Sequence, residues 1–406
     1  MEAVETDSAP HVDLWLTATA AALVVAGLIM VLSSSQAISY LTYDSSLYVF
    51  FHQAFFAAVG LVALIVLART DYHRLRRWAA PGAALSLLLM VIVLVPHVGV
   101  SSYGAERWIG LGSIGTIQPS EIVKLGTSVY LAHWIAKRGN RIKSFTGGFL
   151  PLLVMLGALL ALLMLQKDLG TALVVTSIFG AAYLTGGAPK RYLLVLGLLL
   201  VVSFVGFVLL ESYRVDRLTT YLNPFADPQN KTLQAYQALL GLGSGGITGV
   251  GLGHSVQKYD WLPQADTDFI FAIVGEETGL IGATLLLGGF VFFAVRGYRT
   301  AMRAPDRMGV ILASAITTWI TFQALVNMGV VTDTLPITGV PLPFISYGGS
   351  ALVMCMAAVG VLLNISSQGV QRASTYHRRS DAAADSGRGH RRAPVAGTRR
   401  GAGVSR

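Results

Sequence analysis

The sequence contains few charged residues for its length. Of 406 residues only 13% are Asp, Glu, Lys or Arg, against about 25% in soluble globular proteins, and 53% are hydrophobic. With a mean hydropathy of +0.61, a water-soluble domain of this size is excluded, and we expect lipid to solvate most of the chain. The single cysteine, Cys355, excludes an internal disulfide and leaves the redox compartment undetermined.

Several catalytic signatures are absent as well. The sequence has no Walker loop, no His/Cys cluster at metal-ligand spacing and no Ser-His-Asp pattern. ATP-driven work and covalent serine catalysis therefore find no support. The net charge of +9 would suit nucleic acid, but the basic residues are distributed as in a membrane protein, so we expect no nucleic-acid partner.

The sequence does contain long apolar runs. A helix of about 20 apolar residues crosses the hydrocarbon core of a bilayer. Ten such candidate spans lie near 14–34, 48–68, 78–96, 119–136, 147–165, 170–187, 191–211, 269–295, 308–330 and 346–367. The predicted fold class is an all-α polytopic membrane protein of about ten transmembrane helices. We do not expect the first span to be a signal peptide, because acidic residues and no Lys or Arg precede it.

Basic residues are concentrated in alternate connections between these spans. The connections near 69–77, 137–146, 190–191 and 296–307, together with the C-terminal tail, contain 23 of the 30 Lys and Arg residues. By the positive-inside rule both termini are cytoplasmic. The segments predicted to face outward are 35–47, 97–118, 212–268 and 331–345.

Two regions follow from this pattern. Residues 1–367 form one ten-span membrane domain, and residues 368–406 are rich in Arg, Ala, Gly and Ser without hydrophobic periodicity. We expect these last residues to be a disordered basic cytoplasmic tail. Such a tail either touches anionic lipid or is solvated without a specific role.

The extracytoplasmic loop 212–268, between the seventh and eighth spans, is unusually long. Connections of this length are usually functional. Six glycines lie between Gly243 and Gly253. Because glycine permits turns and close backbone approach, this density favours re-entrant or interfacial structure buried against protein.

Acidic residues lie where this loop enters the eighth span. Asp268 is at its mouth, and Glu276 and Glu277 are about two turns inside. Acidic groups at this depth are costly and are functional candidates. A partly desolvated carboxylate has a raised pKa, which suits a general base. Alternatively, Asp268 only caps the helix.

Polar residues in the other outward segments complete a candidate substrate site. The candidates are Arg107, Gln118, Glu121, Lys124, Asp168, Arg217, Gln237, Lys258 and Ser346. The cationic members suit a lipid pyrophosphate, although basic side chains also snorkel to lipid head groups. Glu121 and Lys124 alternatively pair along one helix face, and Asp168 alternatively caps the sixth span.

Six ordered motifs resemble one known family. They are GAERWIGLG, QPSEIVKL, DLGTALVV, YQALLGLGSGG, LPQADTDFIFAIVGEETG and PLPFISYGGS, and together they extend over nearly all of residues 14–367. On these motifs the chain is identified as a member of the SEDS family of shape, elongation, division and sporulation proteins. The stretches GLGHSVQK and IMVLSSS resemble its FtsW and SpoVE branch more than its RodA branch.

The resemblance implies a peptidoglycan glycosyltransferase at the outer face of the bacterial cytoplasmic membrane. Such an enzyme polymerises lipid II for septal wall synthesis in cell division and releases undecaprenyl pyrophosphate. The essential acidic residue of the family falls on Asp268, the expected general base of an inverting displacement. Arg107, Lys124 and Arg217 are expected to neutralise the pyrophosphate, together with a divalent cation, Mg²⁺ or Mn²⁺. No organic cofactor is expected.

The resemblance also implies partners, and the chain departs from the family pattern at two positions. The expected partners are a class B penicillin-binding protein carrying the transpeptidase, other divisome proteins and membrane lipids. Family members often have His where this chain has Asp266, and usually have Pro where it has Lys167. A second carboxylate two residues away would raise the pKa of Asp268.

Three other functions stay open at this point. A lipid II flippase would also have ten spans with intramembrane charges, placed near the midplane on both halves of an inverted repeat. A scaffold would recruit division enzymes without chemistry of its own. A RodA-like polymerase would serve cell elongation instead of division.

Overall fold

The computed structural model describes residues 12–95, 99–102, 105–110, 112, 115–198, 221, 225–227, 229–230, 232–259 and 261–389. The helices are α1 (Leu14–Ser34), α2 (Gln36–Tyr43), α3 (Tyr48–Arg69), α4 (Leu75–Val93), α5 (Pro119–Arg138), α6 (Leu150–Leu165), α7 (Leu169–Thr185), α8 (Leu233–Gly245), α9 (Ile270–Arg303), α10 (Arg307–Val331) and α11 (Gly349–Gly389). Short helical turns add Tyr72–Arg74, Gly139–Lys143 and Phe145–Phe149, and residues 190–198 are also helical. The predicted class, an all-α polytopic membrane protein, is confirmed.

Nine of the ten predicted spans coincide with helices of the described chain. Seven helices are long and apolar enough to cross a membrane by length and composition. Helix α7 is apolar but has only 17 residues, and α5 contains the charged Glu121 and Lys124. The seventh predicted span, 191–211, begins in the helical residues 190–198, and its remainder lies outside the described residues.

Two segments predicted to face outward contain structure that the apolar pattern did not predict. Segment 35–47 contains the short helix α2. Segment 97–118 contains a three-stranded antiparallel sheet of β1 (Gly99–Ser102), β2 (Ala105–Gly110) and β3 (Thr116–Ile117), in which Gly99 pairs with Ile109 and Ile109 with Ile117. Strands of two to six residues are too short to give a readable periodicity.

Connections predicted to share the cytoplasmic side contact one another at one face of the bundle. Arg296, near the end of α9, binds Asp13 at the start of α1 with 2.6 Å between Nη2 and Oδ2. Arg307 donates to the carbonyl oxygens of Gly139 (3.3 Å) and Gly186. The grouping of these connections therefore agrees with the charge pattern, while their cytoplasmic location stays a prediction.

Helix α9 is broken within its length. Gly279 has φ 65° and ψ −166°, a conformation essentially restricted to glycine. The glycine-rich segment after α8 fills the break and pairs with the backbone groups that it frees. The four hydrogen bonds are Val250 N to Glu276 O (3.0 Å), Gly251 N to Glu277 O (3.0 Å), Leu280 N to Gly246 O (2.9 Å) and Ile281 N to Ile247 O (3.2 Å). Gly245 and Gly249 are therefore packed against protein, as the composition of the cluster predicted, whereas Gly243, Gly246 and Gly253 are exposed.

The last helix extends beyond its membrane-crossing part. By length and composition, Gly349–Gly369 is the part that crosses the membrane, and the backbone of α11 stays helical to Gly389. Residues 390–406 lie outside the described residues. The disorder of the tail and its division from the membrane domain stay predictions.

We expect Gly279→Ala to destabilise the protein by about 1–3 kcal/mol, because the added Cβ requires a strained backbone. That Cβ would also lie 2.4 Å from the backbone nitrogen of Gly249. Gly288→Ala is the matched control on the same helix, since a Cβ at Gly288 meets open space. Thermal unfolding of the purified variants in detergent measures the difference. Equal midpoints for both variants would contradict the strained break.

Candidate active site around Asp268

Asp268 lies in a turn directly before α9. The N-cap residue of α9 is Phe269, so Asp268 is not the helix cap. The Phe269 side chain is buried and anchors the turn in the bundle, whereas Asp268 is only partly buried. The carboxylate therefore sits at the edge of the apolar core, as the sequence predicted for the mouth of the eighth span.

The backbone of this turn is held in place through hydrogen bonds to the carbonyl groups of three consecutive residues. Each accepts a hydrogen bond from α10 or from the connection between α10 and α11. The donors are Tyr347 N to Asp266 O (2.8 Å), Ser346 Oγ to Thr267 O (2.6 Å) and Asn327 Nδ2 to Asp268 O (2.7 Å). Packing of α10 and α11 therefore sets the position of Asp268.

The donors are themselves oriented by further hydrogen bonds. Ser346 Oγ accepts from Leu342 N (2.7 Å), and Asn327 Nδ2 also donates to Val340 O (2.8 Å). Gln53 on α3 donates to Ser346 O and accepts from Gly348 N, both at 3.1 Å. The turn, the connection and α3 thus form one hydrogen-bonded unit, which places the predicted site residue Ser346 beside Asp268.

Arg107 and Asp268 approach the same point. A Cβ at Gly339 would lie 3.5 Å from Asp268 Oδ2 and 3.7 Å from Arg107 Nη1. Arg107 comes from β2, and its guanidinium donates to Gln166 O (3.3 Å) and to Lys167 O in the turn between α6 and α7. The carboxylate of Asp268 and the guanidinium of Arg107 therefore both approach Gly339, where the chain has no side chain.

The turn between α6 and α7 contributes a second carboxylate, which is buried. Asp168 Oδ1 accepts from Thr171 N (3.0 Å), which confirms the capping interpretation. Its Oδ2 is buried without a hydrogen-bond partner in the described part of the chain. Gly170 packs closely on the connection, because a Cβ there would lie 2.8 Å from Thr338 O. Asp168 is therefore brought next to the segment that contains Gly339.

Glu121 and Lys124 lie inside the bundle. Their side chains are joined at 2.7 Å and both are buried, so the predicted pairing along one helix face is confirmed. Lys124 Nζ also donates to Gln323 Oε1 (2.8 Å), and Gln323 donates to Pro341 O (2.9 Å). Through Gln323, this ion pair is linked to the connection between α10 and α11. Its contact with substrate stays a prediction.

Lys258 is buried in a separate cluster at the break of α9. Its Nζ lies 3.2 Å from Glu277 Oε1, and both side chains are fully buried. Ser33 at the end of α1 donates to the same carboxylate at 2.6 Å. The cation is thus already paired, so contact between Lys258 and a pyrophosphate would require this cluster to open.

The remaining predicted residues lie around these groups. Gln118 precedes α5, and its backbone nitrogen donates to Ser350 Oγ (3.3 Å) at the start of α11. Gln237 is buried on α8, which packs on the first half of α9. Arg217 lies outside the described residues.

Sequence reasoning missed Asn327 and Gln323. They are four residues apart on one face of the apolar helix α10, and both are buried. Polar side chains within a membrane span are rare and usually have a structural or functional partner. That signal was present in the sequence and would have identified both residues.

Burial raises the pKa of Asp266, and a hydrogen bond from its own backbone partly offsets this effect. The folded state then binds its proton more tightly than the unfolded state, so stability falls as pH rises from the ordinary value of 3.8 through the raised pKa. We expect Asp266→Asn to unfold at a higher temperature than the parent near pH 7. The difference should shrink as the pH approaches 4. A difference independent of pH would contradict this assignment.

We expect Ser346→Ala to loosen the turn, because Thr267 O and Leu342 N both lose their partner, at a cost of about 1–3 kcal/mol. Amide hydrogen exchange of residues 264–270 should become faster. The control is Ser314→Ala, a buried serine that only donates to Val310 O within α10. Unchanged exchange in the Ser346 variant would show that the turn does not depend on this hydroxyl.

Comparison with known proteins agrees with this architecture. The model of the FtsW, RodA and SpoVE family, described as cell cycle protein, matches residues 13–371. Stage V sporulation protein E of Bacillus subtilis is 41% identical over 87% of this chain and 96% of its own length. The probable peptidoglycan glycosyltransferase FtsW of Geobacter metallireducens is 41% identical over 88% of this chain and 95% of its own.

Solved structures give the same result. A chain from a peptidoglycan synthase complex, studied for its coordination of polymerization and crosslinking, has a TM-score of 0.73 and 28% identity, over 89% of this chain and 99% of its own. RodA of Thermus thermophilus has a TM-score of 0.64 and 28% identity, over 87% of this chain and 96% of its own. The motifs, the helix arrangement and both comparisons together establish that the chain belongs to the FtsW, RodA and SpoVE family of cell cycle proteins, the SEDS family.

Proposed function

We propose that Asp268 is the general base with which this chain polymerises lipid II. The chain is a peptidoglycan glycosyltransferase of the SEDS family and an integral membrane protein. The observation that carries the catalytic assignment is the meeting of Asp268 and Arg107 at Gly339. It supplies a proton acceptor and a cation at one point of the outward-facing connections.

The reaction needs few groups if it is a single inverting displacement. Asp268 takes the proton of the acceptor's 4-hydroxyl while that oxygen forms a bond to the donor's anomeric carbon. The bond from this carbon to the pyrophosphate oxygen breaks, and the lipid pyrophosphate leaves with the electron pair. A base held in place by the backbone reduces the entropy cost of reaching this geometry.

Arg107 is well placed to stabilise the leaving group. Its guanidinium is oriented by the carbonyl groups of Gln166 and Lys167, which leaves its Nη1 on the side of Gly339. Developing negative charge near an oriented cation lowers the barrier. Lys124 and Lys258 are each paired with a buried glutamate, so we assign them a supporting role unless substrate opens those pairs.

We also propose that Mg²⁺ or Mn²⁺ assists the leaving group. The described residues include no group of three or more His, Cys, Asp or Glu side chains that could hold a metal ion. Mg²⁺ is commonly bound by one or two carboxylates together with substrate phosphates, so the ion would enter with the pyrophosphate. Asp268 and the buried Asp168 are candidate carboxylates for this ion, and loss of polymerisation in EDTA, restored by added metal, tests this.

The biological setting is the remaining part of the proposal. Similarity to FtsW and SpoVE proteins supports septal synthesis during division over a RodA-like role. Similarity to a chain of a peptidoglycan synthase complex supports a class B penicillin-binding protein as the partner. We place the protein in the bacterial cytoplasmic membrane with Asp268 on the outer side, where lipid II is consumed.

We expect Asp268→Asn to lower the rate of lipid II polymerisation at least about 100-fold, since general-base catalysis contributes about 10²–10⁴. Asparagine keeps the size of the side chain but cannot accept the proton. A gel assay of purified protein with labelled lipid II, with and without the class B partner, measures the product. The matched control is Asp333→Asn, an aspartate with φ 54° in the connection after α10, which should polymerise at the parental rate.

Two outcomes would contradict the proposal. Parental activity in a folded Asp268→Asn variant would remove the base assignment. No polymer from the parental chain, even with its partner and a divalent cation, would favour a transporter or a scaffold over a polymerase.

A further inference from the structure

The glycine-rich segment that fills the break in α9 has an unusual surface. Its apolar side chains point outward: Ile247 is 69% exposed, and Val250, Leu252 and Val256 are also exposed. These four residues lie within ten positions of the chain, with the exposed Thr248 and His254 among them, and we refer to them as the apolar patch. Large contiguous apolar patches mark binding surfaces or membrane contact.

The Glu and Lys side chains of the same region point inward, whereas His254 is exposed. Glu276, Glu277 and Lys258 are all buried, although they belong to or contact the outward-facing loop. Val256 N donates to Glu276 Oε1 at 2.9 Å, and Lys258 is paired with Glu277. A loop in water would expose its charges and bury its apolar side chains. This arrangement is the reverse, which is the pattern of a segment surrounded by hydrocarbon.

The patch continues directly into a membrane-crossing surface. Leu280 and Ile281, the first residues after the break, donate their backbone N–H groups to Gly246 and Ile247. Both side chains are exposed, as is Leu285 one turn later at 75%, on a helix that is apolar enough to cross a membrane. The patch therefore lies at the same level as the start of this exposed helix face.

Two further observations fit a position in the bilayer. The backbone groups in the break are paired within the protein, as hydrocarbon requires. Beyond the patch, Tyr259 and Trp261 are exposed, and aromatic side chains of these types are enriched at the membrane interface. The segment thus changes from aliphatic to aromatic as it runs toward Asp268.

We infer that residues 246–256 are inserted into the hydrocarbon of the leaflet on the Asp268 side, and that lipid acyl chains cover Ile247, Val250, Leu252 and Val256. Tyr259 and Trp261 mark the level of the head groups. The loop is in this respect part of the membrane domain, and the inference does not depend on the identity of the substrate.

The lone cysteine allows a direct test. In a Cys355→Ala background, single cysteines at Ile247 and Leu252 are labelled with a small fluorophore, and the protein is reconstituted in vesicles. Leu285→Cys is the control for lipid, and Gln229→Cys, an exposed polar position of the same loop, is the control for water. Each labelled protein is first checked for a parental unfolding temperature.

The expected result is strong quenching of both test labels by lipids carrying a nitroxide on the acyl chain, as at position 285. Aqueous iodide should quench them at least about fivefold less than at position 229, because ions are excluded from hydrocarbon. Iodide quenching equal to that at position 229 would place the segment in water and overturn the inference. Protection from both quenchers would also overturn it, since the patch would then be covered by protein, such as a second copy of the chain.

Discussion

The hydrogen bonds that hold the three carbonyl groups of residues 266–268 are the constraint on which the site depends. Their donors, Asn327, Ser346 and Tyr347, belong to α10 and to the connection that follows it. Without these donors, the three carbonyl groups would have to bind water. The side chain of Asp268 would then not be held in one position. Because buried polar groups are costly when unpaired, the bundle can pack closely here only with this turn in this place.

Several charged side chains of the described residues are paired in the same way. Glu121 is paired with Lys124, and Glu277 with Lys258, while Arg107 is bound by two carbonyl groups. Breaking one member of such a pair leaves an uncompensated charge in a low-dielectric interior. Polar contacts therefore connect distant parts of the chain in a bundle whose lipid-facing sides provide little hydrophobic drive for association.

Much of this architecture could be predicted from sequence, for physical reasons. Long apolar runs and alternating basic connections predicted the spans and their grouping, and the family motif singled out Asp268 at the mouth of the eighth span. The sheet that positions Arg107 could not be predicted, because its strands are too short to show a period. The burial of Lys258 could not be predicted either. Lys258 meets its partner Glu277 at the break in α9 at Gly279, and the sequence did not predict this break.

The break in α9 is bridged by the loop that precedes this helix. Residues 270–278 are joined to the rest of the helix through Gly279, but the loop grips them through Glu276 and Glu277. The same loop also binds the second half of the helix, because Leu280 and Ile281 donate to Gly246 and Ile247. A displacement of the loop would therefore be transmitted to both halves of α9, and through residues 270–278 to the turn that contains Asp268.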